Sequence, residues 1–231
     1  KADDNIQETL AMGCWTDVQT TAIHQQDDSP WHAELINAEG SQFEVFFNNT
    51  LCGILSWPLT GLHNVQNALA AIAAARHIGI LPEHAIQALQ RFKNVKRRME
   101  VIAKIKDVTL YDDFAHHPTA IQTTLDGLRK QVGDEKIIAV VEPRSNTMRM
   151  GIHQHALADS LHLADKTFIY QPDNLSWDLQ SLSQQNECIQ ICTSIEEIIQ
   201  KLKQEMTPNS HFLMMSNGSF GGIYQRLQNE L

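Results

Sequence analysis

The sequence predicts an α/β fold whose second part is a Rossmann-like, mostly parallel sheet, preceded by the end of another α/β domain. From Val101 onward, short apolar runs alternate with helical runs, which is the order of a parallel sheet with crossover helices. The apolar runs are continuous, as in strands that are buried on both faces. A basic connector, Lys93–Arg98, separates this part from two upstream helices. We therefore predict two domains, residues 1–94 and 95–231.

The composition and net charge of the chain argue against nucleic-acid and membrane partners. The 42% hydrophobic and 19% charged residues are ordinary for a soluble globular protein. The net charge of −9 and the lack of a basic stripe argue against a nucleic-acid partner, because such binding depends on clustered Lys and Arg. No apolar run approaches the ~20 residues of a membrane span and no signal peptide is present, so we predict no membrane partner and a cytoplasmic location. The chain begins with Lys1 rather than Met, and we expect a fragment of a longer protein.

The cysteines form no C-x-x-C pair. We interpret them as small buried apolar residues in a reducing compartment, with metal binding as a minor alternative. They are Cys14, Cys52, Cys188 and Cys192, and the last two lie in one strand-like run, C-I-Q-I-C.

The first domain contains a weakly helical start, Asp3–Leu10, and a predicted hairpin. Phe43–Phe47 and Leu51–Leu55 flank Asn48-Asn49, a pair that favours a tight turn. Two helices follow: the alanine-rich Asn64–Ile78, ended by Gly79, and Pro82–Phe92, with proline in its first turn.

The second domain opens with a predicted hairpin, Val101–Ile105 and Val108–Tyr111, around Lys106-Asp107. The later strands are predicted at Ile137–Val141, Thr167–Tyr170, Glu187–Cys192 and His211–Met215. The helices are predicted at Thr119–Gln131, Gly151–Leu163, Trp177–Gln184, Ser194–Met206 and Phe220–Glu230.

Polar residues follow three of the predicted strands: Asp112-Asp113, the run 142–146 (E-P-R-S-N), and the run 216–219 (S-N-G-S). If these strands are parallel, the three clusters meet at one edge of the sheet, where ligands of open α/β sheets bind. The alternative is that short polar loops are ordinary connections.

Individual side chains leave several roles open. Asp112 and Asp113 suit a ribose, a metal or an amine, or one of them caps the next helix, and at most one faces a ligand. His116 and His117 lack further ligands at zinc-like spacing, so a proton shuttle, a hydrogen bond to a ligand, or a brace before Pro118 fits better than a metal site.

Amide and guanidinium groups suggest further contacts. Asn64 and Asn67 are three residues apart on a helix and suit the edge of a purine, although Asn64 is equally an Asx cap. Arg97 and Arg98 suit phosphate or a solvated linker. Arg144, near Asn146, suits a substrate carboxylate. The chain contains neither G-x-x-x-x-G-K-[ST] nor G-x-S-x-G.

Four motifs in order, G-L-H-N-V-Q-N-A-L-A-A, R-R-M-E, D-D-F-A-H-H-P-T-A and S-N-G-S-F-G-G-I, resemble the Mur ligases. These ATP-dependent enzymes extend UDP-N-acetylmuramate precursors of peptidoglycan and have a UDP-binding domain, a central ATPase domain and a C-terminal Rossmann-like domain. The resemblance implies that residues 1–94 are the end of the ATPase domain and residues 95–231 the C-terminal domain. The phosphate loop, the UDP-binding domain and the Mg²⁺ ligands are then expected upstream, with no metal site in this chain.

The resemblance also implies site residues. For the nucleotide they are His63, Asn64 and Asn67 near the adenine, Asp113 on the ribose, and Arg98, which reaches the nucleotide as the C-terminal domain closes. Arg98 and His116 are the expected catalytic residues. For the incoming peptide they are Arg144, Ser145 and Asn146, with Ser219 and Phe220 lining the same pocket.

Within the family, G-C-W-T, Y-D-D-F-A-H-H-P and E-P-R-S-N-T-M look most like the members that attach a whole tripeptide, L-Ala-γ-D-Glu-meso-diaminopimelate, during peptidoglycan recycling. The implied reaction uses ATP with Mg²⁺ and passes through an acyl phosphate of UDP-N-acetylmuramate. Two alternatives stay open: a ligase that adds L-alanine to the same acceptor, and a non-catalytic nucleotide or peptide binding module.

Overall fold

The computed structural model describes residues 4–25, 29–172 and 175–230. The chain divides into two compact units between Lys93 and Asn94, beside the predicted boundary. Lys1 and the predicted helix start at Asp3 lie outside the described residues. In the part of the chain that is described, no helix combines the length and apolar character that crossing a bilayer requires.

The first unit has a four-stranded sheet in the order β1-β2-β3-β4, with β1 and β2 parallel and the other pairs antiparallel. Its elements are α1 (Asp4–Ala11), β1 (Thr21–Ile23), β2 (Trp31–Leu35), β3 (Gln42–Phe47), β4 (Thr50–Ser56), α2 (Leu62–His77) and α3 (Pro82–Gln90). The predicted hairpin is confirmed as β3 and β4. Asn48 and Asn49 have φ values of 48° and 62°, which a tight two-residue hairpin turn requires and asparagine tolerates.

The core of this unit forms where α2 packs against the sheet. Val65, Leu69 and Ile72 share one face of α2 and are fully buried together with Trp31. The helical pair α2 and α3 was predicted from the sequence and is confirmed, with α3 beginning at Pro82.

The second unit has a six-stranded sheet in the order β5-β6-β10-β7-β8-β9, in which the edge strand β5 is antiparallel and every other pair is parallel. Its strands are β5 (Glu100–Ile105), β6 (Val108–Asp113), β7 (Ile137–Val141), β8 (Lys166–Tyr170), β9 (Ile189–Cys192) and β10 (Ser210–Met215). Its helices are α4 (Pro118–Val132), α5 (Asn146–Arg149), α6 (Gln154–Ser160), α7 (Gln180–Gln185), α8 (Ile195–Glu205) and α9 (Ile223–Glu230), the last preceded by a 3-10 turn, Phe220–Gly222. The predicted mostly parallel α/β sheet is confirmed.

Helices cover both faces of this sheet. Alternate residues of β7 enter two separate cores: Ala139 and Val141 pack with α4, α6 and α7, while Ile138 and Val140 pack with α8 and α9. This two-sided burial explains why the strand is a continuous apolar run. The loops after β6 and β7 lead to helices on the first face, whereas the loop after β10 leads to α9 on the second. The sheet therefore has a topological switch point at β10, and a crevice is expected there.

The predicted helix Gly151–Leu163 is wrong at its start. The chain forms the short helix α5 earlier, turns at Gly151 with φ of 73°, and resumes as α6 at Gln154. A methyl group added at Gly151 would lie 2.9 Å from the Trp177 ring, so this turn is closely packed. Trp177 was predicted to begin a helix. It lies ahead of α7, and its indole Nε1 donates to the carbonyl of Met148 at 2.7 Å.

The interpretation of the cysteines needs a correction. All four are free, but only Cys192 is buried, Cys52 is half-buried, and Cys14 and Cys188 are exposed. Burial raises the pKa of the Cys192 thiol to about 11. Cys188 precedes β9 rather than sharing the strand with Cys192, because β9 begins at Ile189.

Candidate active site

The carboxyl ends of β6, β10 and β7 lie side by side. Asp113 is paired with Met215 and Met215 with Val141. Beyond the strands, the amide of Ser216 donates to the carbonyl of Asp113 at 3.1 Å, and the amide of Glu142 donates to the carbonyl of Met215 at 3.0 Å. The predicted convergence of the three polar loops is thus confirmed. We call residues 112–117, 142–146 and 216–219 the strand-end site.

Ser216 connects the loop after β10 to the loop after β7 through hydrogen bonds. Its hydroxyl donates to the carboxylate of Glu142 and accepts from the amide of Gly218 at 2.9 Å. Ser216 is fully buried, so these bonds are shielded from water. The loop after β10 is therefore held against the loop after β7.

Arg144 lies directly over Gly218. A methyl group added at Gly218 would lie 1.6 Å from Nη1 of Arg144, so only glycine allows this contact. Arg144 and Asn146 are exposed, and Ser145, the residue before α5, is half-buried. Ser219 is also exposed, in the facing loop. The structure brings together the predicted peptide-binding groups of both loops.

Phe220 was expected to line the same pocket, and that expectation is wrong. Its side chain is 1% exposed and packs in the core with α8 and α9, with its ring centroid 6.1 Å from that of Tyr170. Gly221 and Gly222 follow with positive φ values of 56° and 73°, in a turn next to this buried ring. The ring therefore stabilises the loop and is not accessible to a ligand.

Asp113 braces its loop. The carboxylate is 3% exposed; Oδ2 accepts from the amide of Met99 at 2.8 Å, and Oδ1 accepts from the amide of Ala115 at 2.7 Å and the hydroxyl of Thr124 at 3.4 Å. The helix-cap alternative is not seen for Asp113, because His117 is the N-cap residue of α4, and the carboxylate braces the loop instead. A ribose contact stays a prediction.

The side chains of Arg97 and Arg98 have different surroundings in the structure, a difference that the sequence does not show. The Arg97 guanidinium is partly buried; Nε donates to Asp112 Oδ2 at 3.1 Å and Nη2 donates to the carbonyl of Ser216 at 2.6 Å. Arg98 is exposed, with its guanidinium carbon 5.5 Å from the centre of the Phe114 ring. Arg97 thus has a structural role that sequence reasoning missed. The available signal was Asp112, because an acid at the end of a buried strand needs a cation.

Arg97 and Met99 both adopt left-handed backbone conformations, with φ of 60° and 48°. For residues with a side chain this costs about 1 kcal/mol or more each, and it persists only where surrounding contacts hold it. The exposed Arg98 therefore sits between two strained residues, in a segment that we call the arginine turn, Arg97–Met99.

The half-buried Tyr224 interacts with two charged residues of the site, Asp112 and Arg97. Its hydroxyl forms no hydrogen bond of ordinary geometry with the described residues. Burial, with the negative charge of Asp112 adding to it, raises the pKa of Tyr224 well above its usual value. The phenol stays neutral and supplies no charge to the site.

The histidines of the loop differ in their surroundings. Nδ1 of half-buried His116 donates to the carbonyl of Phe114 at 2.9 Å, which leaves Nε2 as an acceptor for a ligand. His117 stacks edge-on against His153, with ring centroids 4.1 Å apart. Burial, together with the nearby His153 and His116, lowers the pKa of His117. Among the residues with described positions, no three His, Cys, Asp or Glu side chains gather as a metal site.

The predicted adenine group lies in the first unit, at the start of α2. Gly61 precedes the helix with φ of 94°, and a methyl group there would lie 2.6 Å from Cε1 of His63, so the imidazole packs directly on the glycine. Asn64 donates from Nδ2 to the carbonyl of Thr60 at 2.7 Å. The cap alternative for Asn64 is wrong, because Gly61 is the N-cap residue. Asn67 is exposed one turn later.

Residues 97–218 match the family model described as "Mur ligase, glutamate ligase domain". The chain belongs to the Mur ligase family. The matched residues include the arginine turn and most of the strand-end site, so the Mur ligase match and the geometry point to the same region.

Two curated relatives carry the name UDP-N-acetylmuramate–L-alanyl-γ-D-glutamyl-meso-2,6-diaminoheptandioate ligase. The protein from Haemophilus influenzae is 42% identical over all of this chain and 50% of its own length, and the protein from Escherichia coli is 42% identical over 97% of this chain and 49% of its own. The chain therefore spans about half the length of the curated relatives it matches.

Solved structures agree with this assignment. A murein peptide ligase from Psychrobacter arcticus is 44% identical, with a TM-score of 0.73, over 99% of this chain and 49% of its own. A MurF ligase from Thermotoga maritima, solved with ADP, has a TM-score of 0.62 at 17% identity over 88% of this chain and 46% of its own. The second likeness shows the fold alone.

Proposed function

We propose that this chain is part of an ATP-dependent ligase that joins the tripeptide L-Ala-γ-D-Glu-meso-diaminopimelate to UDP-N-acetylmuramate in peptidoglycan recycling. The observation that carries the proposal is the 42% identity, from end to end of the chain, to two ligases whose names state this acceptor and this peptide. In the same proposal, residues 1–94 belong to the central ATPase domain and residues 95–231 are the C-terminal domain.

The proposed reaction has two steps. An oxygen of the lactyl carboxylate of UDP-N-acetylmuramate attacks the γ-phosphorus of ATP, ADP leaves, and an acyl phosphate forms. The amine of the tripeptide then attacks the acyl carbon, phosphate leaves, and the amine loses a proton as the amide forms. Both steps depend mainly on positioning and on neutralising phosphate charge. Mg²⁺ would supply part of that neutralisation, and we assign no Mg²⁺ ligand to the described residues.

On the nucleotide side, Arg98 has the chemistry and the exposure that a phosphate contact needs. His116 offers Nε2 as an acceptor, since Nδ1 is engaged by the carbonyl of Phe114. We propose these two as the catalytic residues of this chain and Asp113 as a ribose contact. His63, Asn64 and Asn67 are proposed to contact the adenine.

On the peptide side, Arg144 is exposed and lies over Gly218, the residue before the exposed Ser219. Asn146, two residues after Arg144, is exposed as well. The tripeptide carries several carboxylates, and a guanidinium binds a carboxylate through two parallel hydrogen bonds. We propose that Arg144, Ser145, Asn146 and Ser219 bind the peptide. Phe220 is left out because its ring is buried.

The compartment is proposed to be the cytoplasm, since four free cysteines suit a reducing environment.

A ligase that adds L-alanine is the second candidate. A relative of that name from Ligilactobacillus salivarius is 36% identical over 62% of this chain, against 42% over the whole chain for the tripeptide ligase from Haemophilus influenzae. The difference favours the tripeptide. A non-catalytic binding module is the third candidate, and it predicts ligand binding without turnover.

The test is phosphate release by the full-length protein with ATP, UDP-N-acetylmuramate and either the tripeptide or L-alanine. We expect release with the tripeptide, and its loss in Arg98→Ala and Arg144→Ala. Lys104→Ala, which removes an exposed positive charge from β5, is the matched control and should retain activity. Equal release with L-alanine would support the second candidate, and binding without release the third.

A further inference from the structure

We infer that Arg97 is a positioning residue that holds Arg98 in place for the reaction, and that it links Arg98 to the loop beneath Arg144. This inference rests on the proposed function, because it assumes that Arg98 contacts the nucleotide. It concerns a residue that would itself touch no substrate.

The side chain of Arg97 reaches two strand ends at once. Its Nε donates to the carboxylate of Asp112 at 3.1 Å, and its Nη2 donates to the carbonyl of Ser216 at 2.6 Å. The Asp112 side chain is only 9% exposed, so the pair lies in a poorly solvated place where charge pairing is strong. One guanidinium thus ties the arginine turn to the ends of β6 and β10.

Each residue of the arginine turn forms at least one backbone hydrogen bond. The carbonyl of Arg97 accepts from the amide of Phe114 at 2.8 Å, and the amide of Arg97 donates to Glu100 Oε2 at 2.8 Å. The amide of Met99 donates to Asp113 Oδ2 at 2.8 Å. The carbonyl of Arg98 accepts from Nδ2 of Asn94 at 2.5 Å. These bonds fix the backbone of Arg98 while its side chain stays exposed.

The backbone strain at Arg97 and Met99 explains why the turn needs these hydrogen bonds. The left-handed conformations of Arg97 and Met99 are rare for residues with side chains, so an unrestrained turn would leave them. Arg97 is at once one of the strained residues and the one whose side chain anchors the turn. Loss of its anchor should therefore let Arg98 move.

The bond from Arg97 to the carbonyl of Ser216 also connects Arg97 to the predicted peptide-binding loops. Ser216, whose carbonyl accepts from Arg97, also donates through its hydroxyl to Glu142 and accepts from the amide of Gly218. Gly218 is the residue on which Arg144 lies. Arg97 therefore sets the position of Arg98 relative to the loop that supports Arg144.

Lysine cannot replace Arg97 in this role. The two bonds leave from different nitrogens of a rigid planar group, whereas the three N–H donors of a lysine ammonium all leave from one nitrogen. Arg97→Lys keeps the charge and gives up the simultaneous contact with Asp112 and Ser216. This variant therefore tests the loss of positioning while the positive charge is retained.

The first measurement is amide hydrogen exchange in the full-length protein, which does not depend on catalysis. We expect Arg97→Lys, and separately Asp112→Asn, to speed exchange at the amides of Met99 and Phe114 by about tenfold or more, because the local opening becomes easier. Arg98→Lys is the matched control and should leave both amides unchanged. Unchanged exchange in Arg97→Lys would overturn the inference.

The second measurement is steady-state kinetics of the full-length ligase. Arg97→Lys should lower kcat with ATP by about tenfold, in line with displacement of a charged group. The tripeptide KM should change much less, because Ser216 keeps its bonds to Glu142 and Gly218 and these still hold the loop beneath Arg144. In an Arg98→Lys background the same substitution should have little further effect, because Arg97 acts through Arg98. An equal loss in both backgrounds would show a separate, merely structural role. An inactive wild type would contradict the proposed function, and the exchange measurement would still decide the role of Arg97.

Discussion

Replacing Gly218 with alanine should displace Arg144 without removing it. The added methyl group would lie 1.6 Å from Nη1, 2.6 Å from Cζ and 2.8 Å from Cδ of Arg144, distances that no real contact tolerates. The backbone of Gly218 lies outside the left-handed region, so alanine itself fits there. Since Arg144 is exposed, its side chain can swing away, and the fold should survive.

The size of the effect follows from the contact that is lost. A hydrogen bond to a charged group contributes about 1.5–3 kcal/mol, and about 1.4 kcal/mol corresponds to a factor of ten. Gly218→Ala should therefore lower kcat/KM for the tripeptide by about 10- to 100-fold. Gly218 is buried, but the atoms nearest to the new methyl group belong to the exposed Arg144 side chain, which can move. Stability should therefore change by less than about 1 kcal/mol and the Tm by less than about 4 °C.

The assay is phosphate release by the full-length protein at varied tripeptide and at varied ATP, with thermal unfolding in parallel. The matched control is the double variant Arg144→Ala with Gly218→Ala, because the three nearest atoms to the new methyl group all belong to Arg144. The double variant should equal Arg144→Ala alone. A further loss in the double variant, or a rise in the KM for ATP instead of the tripeptide, would show that Gly218 does not act through Arg144 on peptide binding.

Three further predictions concern stability. The lowered pKa of His117, caused by burial and by neighbouring histidines, means that the folded protein binds fewer protons, so stability should fall as the pH drops through about 6.5. His117→Gln should weaken this fall in Tm measured from pH 8 to 5, and an unchanged fall would contradict the lowered pKa. Leu213→Ala, at a fully buried position of β10, should lower the free energy of unfolding in urea by about 2–5 kcal/mol. Ile152→Ala, at a position that is 59% exposed, should lower it by less than about 1 kcal/mol. Similar losses in the two variants would contradict the assigned core. Gly61→Ala should cost about 1–3 kcal/mol, because φ is 94°, and an unchanged unfolding free energy would contradict that backbone conformation.

Much of the fold was predictable where local signals and tertiary packing agree. The run Ile137–Val141 is apolar at every position, and the strand has the same bounds in the structure because both of its faces are buried. The turns at Asn48-Asn49 and Lys106-Asp107 lie where two strand-like runs meet, and both pairs adopt positive φ. The short strands β1 and β2 were missed. β1 has only three residues, whereas β2, W-H-A-E-L, alternates apolar and polar residues and carries a strand pattern over five.

The split between α5 and α6 was not predictable from periodicity. It depends on Gly151 turning where the Trp177 ring packs, and these residues are distant in the chain. A similar argument applies to Phe220, which stood in a polar, glycine-rich motif and yet fills the core beside Tyr170. In both places a side chain from another element decides the local conformation.

For the site, the sequence alone determined which loops would meet, because the carboxyl ends of parallel strands lie at one edge of a sheet and the polar residues follow those strands. Which side chains support the site, and which are exposed to a ligand, depends on contacts made in the folded protein. Arg97 and Arg98 are adjacent and chemically identical, yet one bonds to Asp112 and the carbonyl of Ser216 while the other is exposed. That difference arises from hydrogen bonds to residues 15 and 119 positions further along the chain, which no local pattern records.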